Sequence, residues 1–354
     1  MDLRRLNLGL DRFSGLYLWA IFIAVFSVLA PLTFPTMATV HLLASTQAIA
    51  AIAALALLVP MVTGQFDLSI GATANVAGMT AVIVQTKDVM GPLPAVLVGV
   101  AVGFIIGAVN GFVVVRLRVS SFIATLAMGS ILAAVQVIIT GNVEPVPVVN
   151  DTWTAMTQAD IFGFQFVVVY LVVIALLVWW VLEKTPAGRY MRASGSNPEA
   201  ARLSGINVDR WSWISLAASG TVSGFAGVLF VSLTGPSLSF GASLLLPAFA
   251  AVFLGSTQLS PGRLNVWGTL LAIFVLATGV QGLQLVTGVQ WVAAMFNGVA
   301  LLAAVALASG RERRQAKGVA RRPVKDRSSA GRPDAGPPDD PQRAEVTPHS
   351  VPSR

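Results

Sequence analysis

Ten apolar runs with no charged residue inside any of them constrain this chain more than any other feature. They cover residues 16–34, 41–63, 69–86, 93–115, 120–140, 164–182, 212–233, 239–257, 265–285 and 290–308. Most reach the roughly 20 residues with which a helix crosses a bilayer core. In hydrocarbon every backbone N–H and C=O needs an internal partner, which a helix supplies and an open sheet edge does not. The expected fold is an all-α polytopic membrane protein with about ten transmembrane helices. The clearest run is Phe164–Leu182, where Gln165 is the one strongly polar side chain. The weakest is 239–257, with Pro247 inside its apolar part, Leu244–Leu254. By length that segment suits a re-entrant or broken helix as well as a crossing.

Composition agrees. Charged residues make up 11% of the chain and mean hydropathy is +0.76, whereas average soluble domains carry about 25% charged residues. With no Cys, and with His only at 41 and 349, thiolate sites, a His-rich metal centre and a Ser–His–Asp triad have little to draw on. No catalytic residue and no metal ligand is assigned. No phosphate loop of the Gly-x-x-x-x-Gly-Lys-[Ser/Thr] type is present to cradle ATP.

The few charges map sidedness. Before residue 311 there are twelve Lys/Arg. Ten spans with the N-terminus inside place Arg4, Arg5, Arg12, Arg116, Arg118, Lys184, Arg189, Arg192, Arg202, Arg210 and Arg263 in the cytoplasm and leave Lys87 outside. That is a sharp positive-inside pattern, and it favours a crossing at 239–257. The expected organisation is a cytoplasmic N-terminus at 1–15, a transmembrane domain at 16–310 with an inner loop at 184–211, and a cytoplasmic tail at 311–354. The tail holds eleven Lys/Arg among scattered prolines and reads as disordered. Because most of the net +7 lies there, no nucleic-acid partner is expected; the partner of the body is the lipid bilayer.

The polar residues inside the spans are neutral: Gln47, Asn75, Asn110, Thr125, Gln136, Gln281, Gln284 and Asn297. Each either lines a path for a neutral, hydroxylated solute or makes an interhelical hydrogen bond. Gln281 and Gln284 share a helix face. Without an intramembrane carboxylate, ion coupling is disfavoured. Gly99, Gly103, Gly107 and Gly111 form one stripe, and Gly220, Gly224 and Gly227 a similar one; both read as close helix packing.

In the inner loop, Asn197 suits an N-cap, Pro198 the first helical position, Glu199 the positive end of the dipole and Gly205 the stop. Two turns of helix are expected there. Ala200 and Ala201 keep one side slim, which fits either a plain surface helix or a knob for a soluble partner.

Glu199-Ala200-Ala201-x-x-x-Gly205 resembles the EAA–G coupling motif of bacterial ABC-importer permeases. The string from Gly188-Arg189-Tyr190 to Asn197-Pro198-Glu199-Ala200-Ala201-Arg202-Leu203-Ser204-Gly205-Ile206 resembles the ribose-type simple-sugar permease family. So do Gly64-Gln65-Phe66-Asp67-Leu68-Ser69-Ile70-Gly71, Asn110-Gly111 followed by Phe122–Leu126, and Gly255–Arg263 followed by Gly268–Leu271. The resemblance runs in order over residues 15–308, with departures at Gln65, Phe66, Pro261 and Leu264 that bear on the substrate.

The resemblance implies a transport subunit of the bacterial inner membrane that does no chemistry. A separate ATPase subunit would bind ATP and Mg, a binding protein outside would deliver a simple sugar, and a second permease copy, identical or not, would complete the pore. It assigns Asn197, Pro198, Glu199, Ala200, Ala201, Arg202 and Gly205 to ATPase coupling. It makes Asp67, Ser69 and Arg263 gate or inner-loop contacts, against simpler readings: a helix cap for Asp67 or Ser69, a positive-inside anchor for Arg263. Gln47, Asn75, Asn110, Thr125, Gln281, Gln284 and Asn297 become the candidate translocation path. Branched-chain amino acids are the alternative cargo; a stand-alone secondary transporter or channel is the alternative class.

Overall fold

The computed structural model describes residues 10–86, 90–146, 148, 150–260 and 262–320, with side chains for residues 13–306 among them. Arg4, Arg5, Lys87, Asp88, Pro261 and the tail beyond residue 320 lie outside the described residues, as does the side chain of Arg12. The chain divides into two units, residues 1–312 and 313–354.

In chain order the elements are α1 Leu10–Leu29, α2 Met37–Val62, α3 Ile70–Thr86, α4 Pro92–Arg116, α5 Ser121–Thr140, α6 Asp151–Gln158, β1 Asp160–Ile161, β2 Phe164–Gln165, α7 Val167–Lys184, α8 Pro186–Ser196, α9 Pro198–Leu203, α10 Val208–Thr234, α11 Phe240–Gly255, α12 Val266–Thr287 and α13 Trp291–Ala320. Among the described residues, α2, α4, α5, α7, α10 and α12 are long and apolar enough to cross a membrane. Phe13–Leu29, Ile70–Thr86, Phe240–Gly255 and Trp291–Ala306 are shorter apolar helices. The chain is an all-α multi-pass membrane protein, apart from one two-stranded antiparallel pair.

Two helices form the centre. The second half of α2 is buried on every side from Ala51 to Val62, as expected of a helix that is apolar all round. α10 packs against α2, α3 and α4. Its contact with α4 uses both glycine stripes: a Cβ on Gly107 would lie 2.5 Å from the Leu216 carbonyl oxygen and 3.0 Å from the Gly220 Cα. Missing side chains are what let these two backbones meet.

The run at 239–257 gives a helix of only 16 residues, about 24 Å at 1.5 Å per residue. Its first turn lies inside the bundle, where Gly241 meets the backbone of Gly71 at the start of α3. The irregular stretch before it is supplied with partners. The Leu238 carbonyl accepts from Asn75 Nδ2 at 2.7 Å and Gln136 Nε2 at 2.8 Å, and the Gly241 N–H donates to Asn75 Oδ1 at 2.9 Å. Non-helical backbone within a membrane protein needs such help.

Several elements differ from the sequence expectation: the first helix runs Leu10–Leu29 rather than 16–34, since the chain turns at residues 30–36 around Pro31 and Pro35. Phe164 and Gln165 form β2 rather than the start of a span, because Phe162 and Gly163 take φ of 54° and 84° in a tight turn that suits a two-residue hairpin. The inner loop contains a second helix, α8, besides the expected one. The last helix continues to Ala320, past the expected boundary at 310.

Candidate coupling site and translocation cavity

The helix expected around Glu199 is α9, and its caps form as the residues dictate. Asn197 Oδ1 accepts from the Ala200 N–H at 3.0 Å, with Pro198 in the first turn. Gly205 takes φ of 80°, and the Ile206 N–H returns to the Ala201 carbonyl at 3.0 Å. α9 buries Ala201 alone. Asn197, Pro198, Glu199, Ala200, Arg202 and Gly205 are exposed, and Leu203 is 91% exposed.

α9 is anchored by charge. Arg202 Nη2 lies 2.9 Å from Asp209 Oδ1, and Arg118 Nη2 lies 3.0 Å from Asp209 Oδ2. The preceding helix, α8, is held by Arg192, which pairs with Glu183 and donates to the Leu264 carbonyl at 3.2 Å. α8 also touches the end of α2: Gly195 packs on the Val62 carbonyl beside Gly64. The Thr185-Pro186 start signals α8, since Pro at the first position favours helix initiation.

The α2–α3 connection, residues 63–69, exposes Gly64 and Phe66 but buries Thr63, Asp67 and Ser69. Asp67 lies between the two helices, as expected, and is 1% exposed. Its Oδ1 accepts from the Ser69 N–H at 3.0 Å and the Ser69 hydroxyl at 2.6 Å, and its Oδ2 accepts from the Ser219 hydroxyl at 2.7 Å. Ser219 lies eleven residues after the first residue of α10, about 16 Å along the helix axis. Thr63 meets Ser215 at 2.9 Å, and Gln65 donates to Ser212 at 3.4 Å. Ser212, Ser215 and Ser219 thus share one face of α10. α5 contributes Ser121 Oγ and Thr125 Oγ1, which accept from the Phe66 and Leu68 N–H groups at 3.0 and 2.9 Å. α4 contributes Asn110, whose amide donates to Ser69 Oγ at 2.8 Å.

A cavity of about 380 Å³ opens between α2, α10, α11 and α12, with Asn297 of α13 at its wall. Its polar groups are Thr46, Gln47, Thr234, Ser243 and Asn297, and none of its described lining residues is charged. Phe230 and Phe240 also line it, with stacked rings 3.2 Å apart between centroids.

Residues 39–305 match a family model described as branched-chain amino acid transport system / permease component. The chain belongs to this permease family. It is 33% identical over 295 residues to the ribose import permease protein RbsC of Escherichia coli K12, covering 80% of this chain and 89% of that protein. It is 32% identical over 305 residues to RbsC of Bacillus subtilis 168, covering 84% and 92%. The fructose import permease protein FrcC of Rhizobium meliloti is 29% identical over 280 residues, covering 76% and 77%. No solved structure matches the chain.

The permease separates the residues grouped from sequence as one path. Gln47 and Asn297 line the cavity. Asn75, Asn110 and Thr125 are instead buried in hydrogen bonds between elements. Gln281 and Gln284 are half-buried on α12, whose cavity-lining residues are Ile273, Leu276, Ala277 and Val280. Asp67 bonds Ser69 at the entry to α3 and Ser219 of α10, while Ser69 accepts from Asn110 of α4. Arg263 lies exposed in the α11–α12 connection. The cavity residues Thr46, Thr234 and Ser243 had no place among the sequence candidates, since isolated hydroxyls in apolar helices ordinarily bond their own backbone.

Proposed function

We propose that this chain is the membrane-spanning permease subunit of an ATP-binding-cassette importer for a simple sugar or sugar-like solute. The observation that carries the coupling half of this reading is α9: a capped helix, anchored at Arg202, that leaves Glu199 and Leu203 exposed. A soluble ATPase that binds ATP and Mg would dock there. Its motion would pass through α9 to α10 and α8, and from them to the α2–α3 connection. The permease does no chemistry of its own. A substrate-binding protein would deliver the solute on the other side.

The relatives named for ribose and fructose support the cargo. So does the cavity: hydroxyl and amide groups beside aromatic rings suit a neutral polyol. A zwitterionic amino acid would need charged partners to offset its desolvation, and the described lining residues offer none. This observation favours a sugar over a branched-chain amino acid.

The topology belongs to the same proposal. Ten spans put both termini and eleven of twelve body Lys/Arg in the cytoplasm of a bacterial inner membrane, with residues 311–354 as a cytoplasmic tail. A second permease copy, the same or a related chain, completes the pore.

The test is reconstitution in proteoliposomes with a cognate ATPase and binding protein. ATP-dependent uptake of labelled ribose or a related sugar, without uptake of leucine, is expected. Uptake of leucine alone would overturn the cargo, and uptake without ATPase would overturn the subunit assignment.

A further inference from the structure

A second cavity, of about 390 Å³, lies at the N-terminal end of α12, between the C-terminus of α7 and the α11–α12 connection. Its walls include Trp179, Glu183, Lys184, Arg263, Asn265 and Trp267. The Lys184 Nζ stands 5.3 Å from the Trp179 ring centre, and the Trp179 and Trp267 rings are 6.3 Å apart.

The charge balance here is positive. Glu183 is neutralised by its pair with Arg192. Among the described residues, neither Lys184 nor Arg263 has an ion-pair partner. Both are exposed. Arg192 reports the same field. Burial pushes its guanidinium down from its ordinary value, Glu183 pulls it back up, and the like charge of Arg263 pushes it down again. Asn265 is not available to a ligand, because its amide N–H groups reach the Gly255, Gln258 and Arg263 carbonyls and its Oδ1 caps α12.

The surroundings are those of a membrane interface. α7 and α12 are both long and apolar enough to cross. Trp180 and Trp267 are 57% and 44% exposed, and Leu176 and Leu177 continue an exposed apolar face along α7. Tryptophans at helix ends mark the headgroup level, and basic pockets between helices at that level recognise anionic headgroups.

We propose that this cavity binds the phosphate of an anionic phospholipid headgroup, paired with Lys184 and Arg263, with its acyl chains lying along the exposed face of α7. An acidic patch on a soluble partner would match the cations but not the tryptophans and leucines beside them.

The experiment is native mass spectrometry of the purified full-length permease titrated with phosphatidylglycerol or phosphatidylcholine. Wild type should bind phosphatidylglycerol about thirtyfold more tightly than phosphatidylcholine, at about fivefold per cation. Lys184→Gln and Arg263→Gln should each weaken phosphatidylglycerol about fivefold, and the double variant about thirtyfold, leaving phosphatidylcholine unchanged. Arg210→Gln, an exposed base on α10 outside the cavity, should change neither. The single variants keep the test readable if the double variant does not fold. Equal phosphatidylglycerol binding by wild type and both single variants overturns the proposal. So does displacement of the lipid by an equal concentration of inorganic phosphate, which would make the site one for free phosphate. Loss of ATPase-subunit binding in the variants, with lipid binding intact, also overturns it.

Discussion

Arg202 of the short helix α9 and Asp209 of α10 form an ion pair at 2.9 Å, and the same carboxylate holds Arg118 of the α4–α5 connection at 3.0 Å. All three side chains are partly solvated, so each pair adds at most about 1 kcal/mol to stability. Their value is positional. One carboxylate joins the exposed helix α9, the start of the central helix and the connection between two spans. Asp209→Asn removes both pairs and should leave membrane insertion intact and thermal stability within about 2 kcal/mol of wild type while lowering the solute moved per ATP hydrolysed. Arg202→Gln should do the same, and the double variant should add nothing further. Stoichiometry in proteoliposomes is the readout; additive losses would mean that the pair does not act as a unit.

Glu199 sits in the first turn of α9 and is exposed. Reversing its charge opposes the helix dipole by about 0.3–1 kcal/mol, too little to unfold a helix held by Asn197 and Arg202. Glu199→Lys should reach the membrane in normal amounts and abolish uptake. Transport at the wild-type rate in that variant would remove α9 from the coupling path.

Asp67 accepts three hydrogen bonds in the bundle interior. Removing one partner of a buried hydrogen bond costs about 1–3 kcal/mol, more where a charge is involved. Both Ser219→Ala and Asp67→Asn should lower the melting temperature in detergent, with Asp67→Asn the more severe. A melting temperature equal to wild type for both would show that the α2–α3 connection does not depend on this clamp.

Gly107 has no room for a side chain, because a Cβ there would meet α10 backbone. Gly107→Val should sharply reduce the yield of folded permease. Gly129 of α5 gives the contrast, since a Cβ at that position would meet nothing within 4 Å. Gly129→Ala should be neutral or stabilise by up to about 1 kcal/mol. Comparable yields for the two variants, read by fluorescence-detected size exclusion, would contradict the α4–α10 packing.

Gln47 and Asn297 face one cavity from different helices. Gln47→Leu and Asn297→Leu should each cut sugar uptake while the ATPase activity of the assembled complex persists. Uptake unchanged in both would place the path elsewhere.

Much of the fold was legible in one dimension because its causes are local. An apolar run of about 20 residues must be satisfied as helix wherever it sits in a membrane. The α9 caps depend only on Asn197, Pro198 and Gly205 in their order. The glycine stripes on α4 and α10 predicted close packing, and these helices do meet through them. α8 escaped notice because its short polar sequence lacks a long apolar run, leaving only the Thr185-Pro186 start as a signal.

The role of each polar residue depended on neighbours distant in sequence. Hydropathy made Asn75, Asn110, Thr125, Gln47 and Asn297 equivalent, since each is one neutral group in an apolar helix. Packing separated them: Asn75 serves the Leu238 carbonyl, Asn110 serves Ser69, Thr125 serves Leu68, and Gln47 and Asn297 are left facing open space. Asp67 shows the same limit. A short segment between two apolar runs looks like a surface loop, yet α10 supplies hydroxyls at Ser215 and Ser219 that bond the buried Thr63 and Asp67. Hydropathy determines that a segment is helical and apolar because solvent and backbone enforce it residue by residue. Whether a buried polar group holds the bundle together or faces a solute is decided only when tertiary packing brings its partner within about 3 Å.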